Sequence, residues 1–500
     1  MPDESISKSE LGNHLLGACD ILRGPINQDE YKSYVTPLLF FKRISDVYDE
    51  ETADALESSG GDAEYAALPE NHSFEVPEGC HWQDVRNTGA NVGKAIVDAM
   101  VGIERTNPDT LSGLFSSFDD ASWTDKGKLS DERLKDLIEH FSAKRFGNRN
   151  YSADMMGDAY EYLIKKFADM QKKNAGEFYT PREIVKLMVT LLEPKPGESV
   201  YDPACGTGGM LIEAVRQMNN SRLAYGKLYG QEKNLSTSAI ARMNLYLHGA
   251  KDFHIAQGDT LREPAFRDGD RLKTFDMVLA NPPFSLKNWG STEFASDPWG
   301  RNLWGVPTDK SAADLAWVQH MVCSMDERNG RCAVILPQGV LFHGGKEGTI
   351  RKGLIKSDKV EAVITLASGV FFSTGVSACI LFLRNDKPIE HRGRICVIDG
   401  SKIFTAQRAQ NMISEEDAQE LLSLYRAYEP VVEKCAIATL EDVEREGYVL
   451  SASNYVERER EEAEPPAETR RRFYELLEQT KESEKKLREL LEKGGYADGE

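Results

Sequence analysis

The chain has 500 residues, of which 40% are hydrophobic and 28% are charged, a composition typical of globular proteins with two or three domains. Its formal net charge of −20 disfavours a chain that holds nucleic acid with its own cations, because phosphate contacts need lysine and arginine. The acidic start, the lack of long apolar runs and 8 cysteines without a CxxC pair predict a cytoplasmic protein with no signal peptide, membrane span, disulfide framework or metal site.

Residues 1–148 are predicted to form a helical domain. Amphipathic stretches such as Leu38–Tyr48 and Glu132–Phe141 alternate there with polar loops. Thr36-Pro37 has the order expected where a helix begins, with a capping threonine before a proline. The segment Ser58–Gly79, rich in Glu, Gly, Ala and Pro, is predicted to be a surface loop.

From about residue 149 to 405, short apolar runs alternate with helical stretches. We predict seven strands in this region, at Ser199–Asp202, Lys227–Gly230, Phe253–Ala256, Phe275–Leu279, Arg331–Leu336, Val360–Leu366 and Ala378–Leu383. Such alternation indicates an α/β fold of Rossmann type, with a mixed, mainly parallel sheet and helices on both faces. Ligands of such folds bind beyond the carboxyl ends of the strands.

A glycine-rich turn follows the first predicted strand, in the sequence Asp202-Pro203-Ala204-Cys205-Gly206-Thr207-Gly208-Gly209. Glycines let the backbone approach a ligand closely, and the start of the next helix offers free N–H groups. The alternative is a tight turn that binds nothing. The spacing differs from the G-x-G-x-x-G of dinucleotide folds, which disfavours a nicotinamide cofactor.

The next two strands end in acidic residues. Glu232 lies 24 residues beyond Gly208, the offset at which an acidic residue binds a ribose diol in doubly wound folds. Asp259 follows the third strand, where it would either accept a hydrogen bond from an adenine amine or cap the next helix. The sequence does not decide between these two roles.

The fourth predicted strand stops at Asn281-Pro282-Pro283-Phe284. Proline has no N–H group and a fixed φ, so this turn cannot continue the sheet and its carbonyls point outward. The turn therefore offers a side-chain amide, rigid carbonyls and an aromatic ring at one strand end. This combination suits the binding of a flat group that carries a nucleophilic amine.

Beyond Asp399 the chain is predicted to be helical and is highly charged. A helix over Thr469–Lys493 follows the break at Pro465-Pro466 and carries apolar residues three and four positions apart, at Phe473, Leu476, Leu477, Leu487, Leu490 and Leu491. The alternatives are a helix that packs on its own domain and one that packs on a partner subunit in a coiled-coil-like manner. We favour the partner.

The glycine-rich turn together with Asn281-Pro282-Pro283-Phe284 resembles the S-adenosylmethionine-dependent DNA N6-adenine methyltransferases. Two further segments, Gly176–Val185 and Ile21–Asp46, resemble the modification subunit (HsdM) of type I restriction-modification systems. The resemblance implies an N-terminal helical domain at 1–148, a class I S-adenosylmethionine-dependent catalytic domain at 149–405, and a C-terminal helical region with a partner-binding helix at 406–500.

The resemblance also implies the residues of the site. S-adenosylmethionine would be held by Glu177, Phe178, Tyr179, Thr180, Pro181, Arg182, Asp202, Gly206, Thr207, Gly208, Gly209, Glu232 and Asp259. The Asn281 side-chain oxygen and the Pro282 carbonyl would accept from an adenine amine that Phe284 holds by stacking. Phe371 matches a ring that stacks on the flipped base, and a core position is its alternative.

The same resemblance implies partners. Double-stranded DNA would be the substrate, and a separate specificity subunit would read its sequence, with two modification subunits for each specificity subunit and a restriction subunit in the full complex. No GxxxxGK[ST] motif is present, so ATP-driven steps would belong to another chain.

Other functions remain as alternatives. A protein methyltransferase acting on a glutamine amide also uses Asn-Pro-Pro with an aromatic residue, and the acidic charge favours it. A cytosine-N4 methyltransferase commonly has serine in place of Asn281. A catalytically inactive scaffold that binds cofactor and a partner is the third alternative, and the intact Asn281 and Gly208 disfavour it.

Overall fold

The structure is a computed structural model that describes residues 8–118, 121–170, 180–218, 227–250, 252–308, 312–371, 376–407, 411–459 and 466–493. Its contacts divide the chain into two compact units, Met1–Val456 and Glu457–Glu500, and each is described by itself. No helix in the described ranges combines the length and the apolar character that a membrane span requires.

The first 170 residues form helices in every long amphipathic stretch. Their bounds are α1 (Lys8–Leu22), α2 (Tyr31–Ser58), α3 (Ala63–Ala66), α4 (Trp82–Arg86), α5 (Val92–Thr106), α6 (Pro108–Leu111), α7 (Asp131–Ser142) and α8 (Ala153–Met170). The predicted helix start at Thr36-Pro37 is wrong, because α2 begins at Tyr31 and contains Pro37. Burial of Tyr34, Val35, Leu38 and Leu39 outweighs the hydrogen bond that the proline removes.

A nine-stranded sheet forms the centre of the first unit, and a two-stranded hairpin lies beside it. The strands are β1 (Val200–Asp202), β2 (Leu228–Glu232), β3 (Phe253–Gln257), β4 (Arg267–Asp268), β5 (Arg271–Leu272), β6 (Met277–Ala280), β7 (Arg331–Pro337), β8 (Val360–Leu366), β9 (Ala378–Arg384), β10 (Arg394–Gly400) and β11 (Cys435–Thr439). The sheet order is β11-β10-β8-β9-β7-β6-β1-β2-β3, and β4 pairs with β5.

The predicted α/β class and mainly parallel sheet are confirmed. Adjacent strands pair in parallel except at β9, which is antiparallel to both β7 and β8, and at the edge pair β10–β11. All seven predicted strands are present, but the predicted number is wrong because β10 and β11 extend the sheet to nine. β11 lies within residues 406–500, which we expected to be helical. Its sequence Cys-Ala-Ile-Ala-Thr is short and rich in alanine, which has little preference for strands.

Helices cover both faces of the sheet. The remaining helices of this unit are α9 (Arg182–Leu192), α10 (Gly209–Gln217), α11 (Leu235–Leu247), α12 (Ser291–Ala295), α13 (Asp314–Cys323), α14 (Gly345–Lys356), α15 (Glu415–Ala427) and α16 (Leu440–Arg445). The core of one face takes side chains from α9, α10, α11 and α15, and the core of the other takes them from α13 and α14.

Helix α11 connects the sheet to the N-terminal helices. Ala241 and Leu245 pack into the core under the sheet, whereas Ile240 and Met243 pack into the core of the N-terminal helices. Helix α8 belongs to that same N-terminal core, in which Tyr160 is fully buried. The carboxyl ends of β1, β2, β3 and β6 therefore open next to helices from both parts of the first unit.

The second unit contains one long helix, α17 (Pro466–Lys493). Its large apolar side chains are exposed, with Phe473 60% and Leu490 67% exposed. The helix predicted over Thr469–Lys493 is thus present, and it begins three residues earlier.

Candidate active site

The glycine-rich turn bends sharply between β1 and α10. Gly206 and Gly208 adopt φ values of 52° and 81°, in the left-handed region that favours glycine. The turn is held from two sides. Its Gly206 N–H donates to the Glu232 carboxylate at 3.1 Å, and the Asn244 side chain of α11 donates to the Thr207 carbonyl at 2.9 Å.

A cleft opens beside this turn and brings together several predicted residues. Those that line it are Thr180, Arg182, Asp202, Gly206, Thr207, Gly209 and Asn281. The cleft also takes Glu161 and Ile164 from α8 and Asn244 from α11, which the sequence did not indicate. These residues were missed because each lies on a helix far from the motifs in sequence, with no local pattern that marks it.

The other predicted cofactor residues lie around this cleft or outside the described ranges. Gly208 caps the start of α10 and Pro181 the start of α9. Glu232 reaches the turn through Gly206, whereas Asp259 pairs with Lys233 at 2.9 Å and does not line the cleft. Glu177, Phe178 and Tyr179 lie outside the described residues.

Asn281 is oriented by a contact with Thr180, which lies just before α9. Its side-chain amide nitrogen donates to the Thr180 hydroxyl at 2.9 Å. Its side-chain oxygen is buried and accepts from no donor among the described residues. Buried polar atoms are nearly always hydrogen-bonded, so this acceptor beside the cleft is a position at which a ligand or a water molecule would supply the donor.

The turn after Asn281 is fixed by a residue that the sequence analysis missed. The Ser285 N–H, in a left-handed backbone position, donates to the Asp314 carboxylate at 3.0 Å. Burial raises the pKa of Asp314 to about 6.

The aromatic ring of Phe284 contacts a second ring. It meets the ring of Phe371 edge-to-face at 5.8 Å between ring centres. Phe371 is 5% exposed and belongs to the core against which Phe284 packs.

The floor of the cleft is acidic. Asp202 is 2% exposed, and burial together with nearby Glu232 raises its pKa to about 8, against a hydrogen bond from the Ala204 N–H. Burial also raises the pKa of Glu232. A ligand that brings a positive charge into this cleft would therefore be stabilised by both carboxyl groups.

A second charged group borders the cleft. Asp158, Glu161 and His248 offer ligand atoms within 4.8 Å of one another, the spacing of a cation site. Arg216 supplies a positive charge there, since its guanidinium lies 2.7 Å from Asp158 and 3.9 Å from Glu161. This cluster joins α8 to α10 and does not require a metal.

Known proteins match the chain in both of its parts. The family described as N-6 DNA Methylase matches residues 151–464, and the one described as HsdM N-terminal domain matches residues 11–141. A type I restriction enzyme methylase subunit (MjaVII) of Methanocaldococcus jannaschii is 30% identical over 99% of this chain and 85% of its own length. The corresponding HindI subunit of Haemophilus influenzae is 31% identical over 76% of this chain and 89% of its own length.

A solved structure agrees with these sequence matches. The crystal structure of a type I restriction-modification methyltransferase subunit from Streptococcus thermophilus superposes with a TM-score of 0.77. It is 28% identical and covers 90% of this chain and 99% of its own. The resemblance inferred from the motifs is thus confirmed, and the chain belongs to the N-6 DNA methylase family, as a methylase subunit of the type I restriction-modification kind.

Proposed function

We propose that this chain transfers a methyl group from S-adenosylmethionine to the N6 atom of an adenine that has been swung out of double-stranded DNA. The observation that carries the proposal is the buried Asn281 oxygen without a donor, at the strand end beside the glycine-rich cleft. An exocyclic amine supplies the N–H groups that this oxygen lacks. Base flipping is needed because the N6 atom of a stacked base cannot enter an enclosed pocket.

The chain's own residues would prepare the amine for attack. The Asn281 oxygen and the Pro282 carbonyl accept one N–H each, which favours a more tetrahedral nitrogen with its lone pair free. Thr180 keeps the Asn281 amide in this orientation because its hydroxyl accepts a hydrogen bond from the amide nitrogen. No strong base is needed before attack, because the N–H groups become acidic once the nitrogen carries positive charge. The remaining contribution is alignment of the amine with the methyl group.

The cleft fits S-adenosylmethionine, which supplies an electrophilic methyl group on a sulfonium. The glycine-rich turn lets the cofactor approach the backbone, and the acidic floor at Asp202 suits its positive charges. We propose that Glu232, at the end of β2, binds the ribose diol. We propose that Gly206, Thr207 and the neighbouring predicted residues complete the binding site.

We expect the affinity for S-adenosylmethionine to increase as the pH rises from 6 to 8. In the free protein burial raises the pKa of Asp202 to about 8, so its carboxyl group is mostly protonated below that pH. The positive charge of the cofactor lowers this pKa, so binding releases a proton and tightens by up to about tenfold per pH unit. Titration calorimetry in two buffers of different ionisation enthalpy measures both effects. Asp202→Asn should lose the pH dependence, and an identical slope in this variant would assign it to another group.

DNA binding by this chain would depend on partners. Residues 1–150 carry 28 acidic and 15 basic side chains, a balance of −13, so the excess negative charge is concentrated at the N-terminal end. We propose that a specificity subunit reads the DNA sequence and supplies much of the phosphate contact, with two methylase subunits for each specificity subunit and a restriction subunit in the full complex.

The domains that we propose for this chain are 1–148, 149–405 and 406–500. We also propose that the protein acts in the cytoplasm.

Transfer of a radiolabelled methyl group tests the proposed function directly. The chain is incubated with labelled S-adenosylmethionine and duplex DNA, with and without its specificity subunit, and the DNA is digested to nucleosides. We expect label in N6-methyladenine only when the specificity subunit is present. Label in N4-methylcytosine or on a protein glutamine would support one of the alternatives, and cofactor binding without any transfer would indicate a scaffold.

A further inference from the structure

A buried arginine ties together the strand ends that build the site. Arg301 is 1% exposed and lies in the segment between the Asn281 turn and α13. Its guanidinium donates to the backbone carbonyls of Thr260 and Leu261, each at 2.8 Å, and to the Asp297 carboxylate at 2.6 Å. One side chain therefore fixes the turn after β3 to the segment that follows β6.

This contact continues into the glycine-rich turn. The Thr260 hydroxyl donates to the Pro203 carbonyl at 2.6 Å, and Thr260 is 3% exposed. Pro203 lies one residue after β1 and three before Gly206. A path of hydrogen bonds thus runs from Arg301 through Thr260 to the backbone that lines the cleft.

The same guanidinium is also connected to β1, through His320 and Tyr201. It donates to His320 Nδ1 at 3.4 Å, and the other ring nitrogen of His320 lies 3.1 Å from the Tyr201 hydroxyl. Burial and the charge of Arg301 keep the pKa of His320 well below its usual range, so the ring is neutral. With Nδ1 accepting from Arg301, Nε2 carries the proton and donates to Tyr201.

We infer that Arg301 is a positioning residue, which sets the shape of the glycine-rich turn through Thr260 and so determines cofactor affinity. A buried ion pair contributes little stability compared with an apolar pair of similar size. The ion pair of Arg301 instead fixes the positions of its partners, because a planar guanidinium donates to several acceptors in fixed directions. The inference rests on the proposed function for the identity of the ligand, but the positioning itself can be measured without ligand.

Two variants interrupt the path at different points. Arg301→Lys keeps the charge but cannot serve all of the acceptors, and Thr260→Val removes only the hydroxyl that reaches Pro203. Thr260→Ser restores this donor. Arg331→Lys is the matched control, because Arg331 is also buried, donates to the Leu192 carbonyl at 2.6 Å and pairs with Glu198 at 2.7 Å, but begins β7 and so lies away from the carboxyl ends of the strands.

Hydrogen exchange and cofactor binding are measured on the full-length variants. In the cofactor-free protein we expect Arg301→Lys and Thr260→Val to speed amide exchange at residues 204–210, whereas Thr260→Ser and Arg331→Lys leave it unchanged. The affinity for S-adenosylmethionine should fall roughly five- to tenfold in the first two variants, the effect of about one hydrogen bond. A loss of thermal stability alone, shared equally with Arg331→Lys, would overturn the positioning role.

The two readouts separate this inference from the proposed function. If the unmodified protein failed to bind S-adenosylmethionine, the proposed cofactor would be wrong, and exchange at residues 204–210 would still decide whether Arg301 positions the turn. If the protein bound the cofactor but Thr260→Val changed neither exchange nor affinity, the path through Thr260 would be wrong and the proposed function would stand.

Discussion

Replacing Asn281 by alanine is expected to abolish detectable methyl transfer while S-adenosylmethionine still binds. The variant removes the buried oxygen that has no donor and the amide that Thr180 orients. Loss of one preorganised polar group at a reacting centre commonly lowers the rate by about 10²- to 10³-fold. The glycine-rich turn and the acidic floor of the cleft are not altered, so we expect the dissociation constant of the cofactor to change by less than about threefold, a difference below 0.7 kcal/mol.

Single-turnover transfer of labelled methyl to DNA, together with calorimetric cofactor binding, measures both parts of this prediction. Asn281→Asp is informative because it keeps an acceptor but cannot donate to Thr180, so we expect partial activity. Asn302→Ala is the control, since among the described residues the Asn302 side chain donates to the Ala295 carbonyl and does not line the cleft. Transfer by Asn281→Ala within tenfold of the unmodified protein would show that the asparagine is not the acceptor.

Local sequence patterns were sufficient to predict the strands and the turns that follow them. The apolar run that ends at Asn281 and the strand that ends at Asp202 both stop at prolines, and chain-breaking residues of this kind mark the carboxyl edge of a sheet. Once two motifs lay at strand ends, the topology of a parallel sheet required them to lie close together. The position of the cleft was therefore predictable from two short motifs, each a few residues long.

The supporting residues were not predictable because their roles depend on packing between distant elements. Asp314 begins α13 and Asn244 lies within α11, and both helices have ordinary sequences. Only the fold brings Asp314 to Ser285 and Asn244 to Thr207. Arg301 looks like a surface arginine in a polar segment, yet it is buried by the turn after β3. Asp259 follows a strand end as expected, and there its carboxylate pairs with Lys233 and accepts from the Arg262 N–H, so its role in cofactor binding stays a prediction.

The exposed helix α17 has a pattern that fits a partner helix better than solvent. Positions three and four residues apart repeat every seven residues, with Phe473 and Leu476 in the first repeat, Thr480 and Ser483 in the second, and Leu487 and Leu490 in the third. Two apolar layers thus flank a polar one along a helix about 42 Å long, at 1.5 Å per residue. A polar layer in such a seam commonly fixes the register of the partner.

Deleting residues 466–500 is therefore expected to abolish stable assembly with the specificity subunit and, with it, methylation of DNA. Cofactor binding should be unchanged, because the described residues that line the cleft all lie in Met1–Val456. A finer variant replaces Phe473, Leu476, Leu487 and Leu490 by serine, which removes both apolar layers and leaves the charges. Its control replaces Glu478, Glu482 and Glu489 by glutamine, on the opposite face of the helix at 100° per residue. Light scattering after size-exclusion chromatography measures the assembled mass. If the serine variant assembled as well as the glutamine control, α17 would not be the contact, and the partner would have to bind within Met1–Val456.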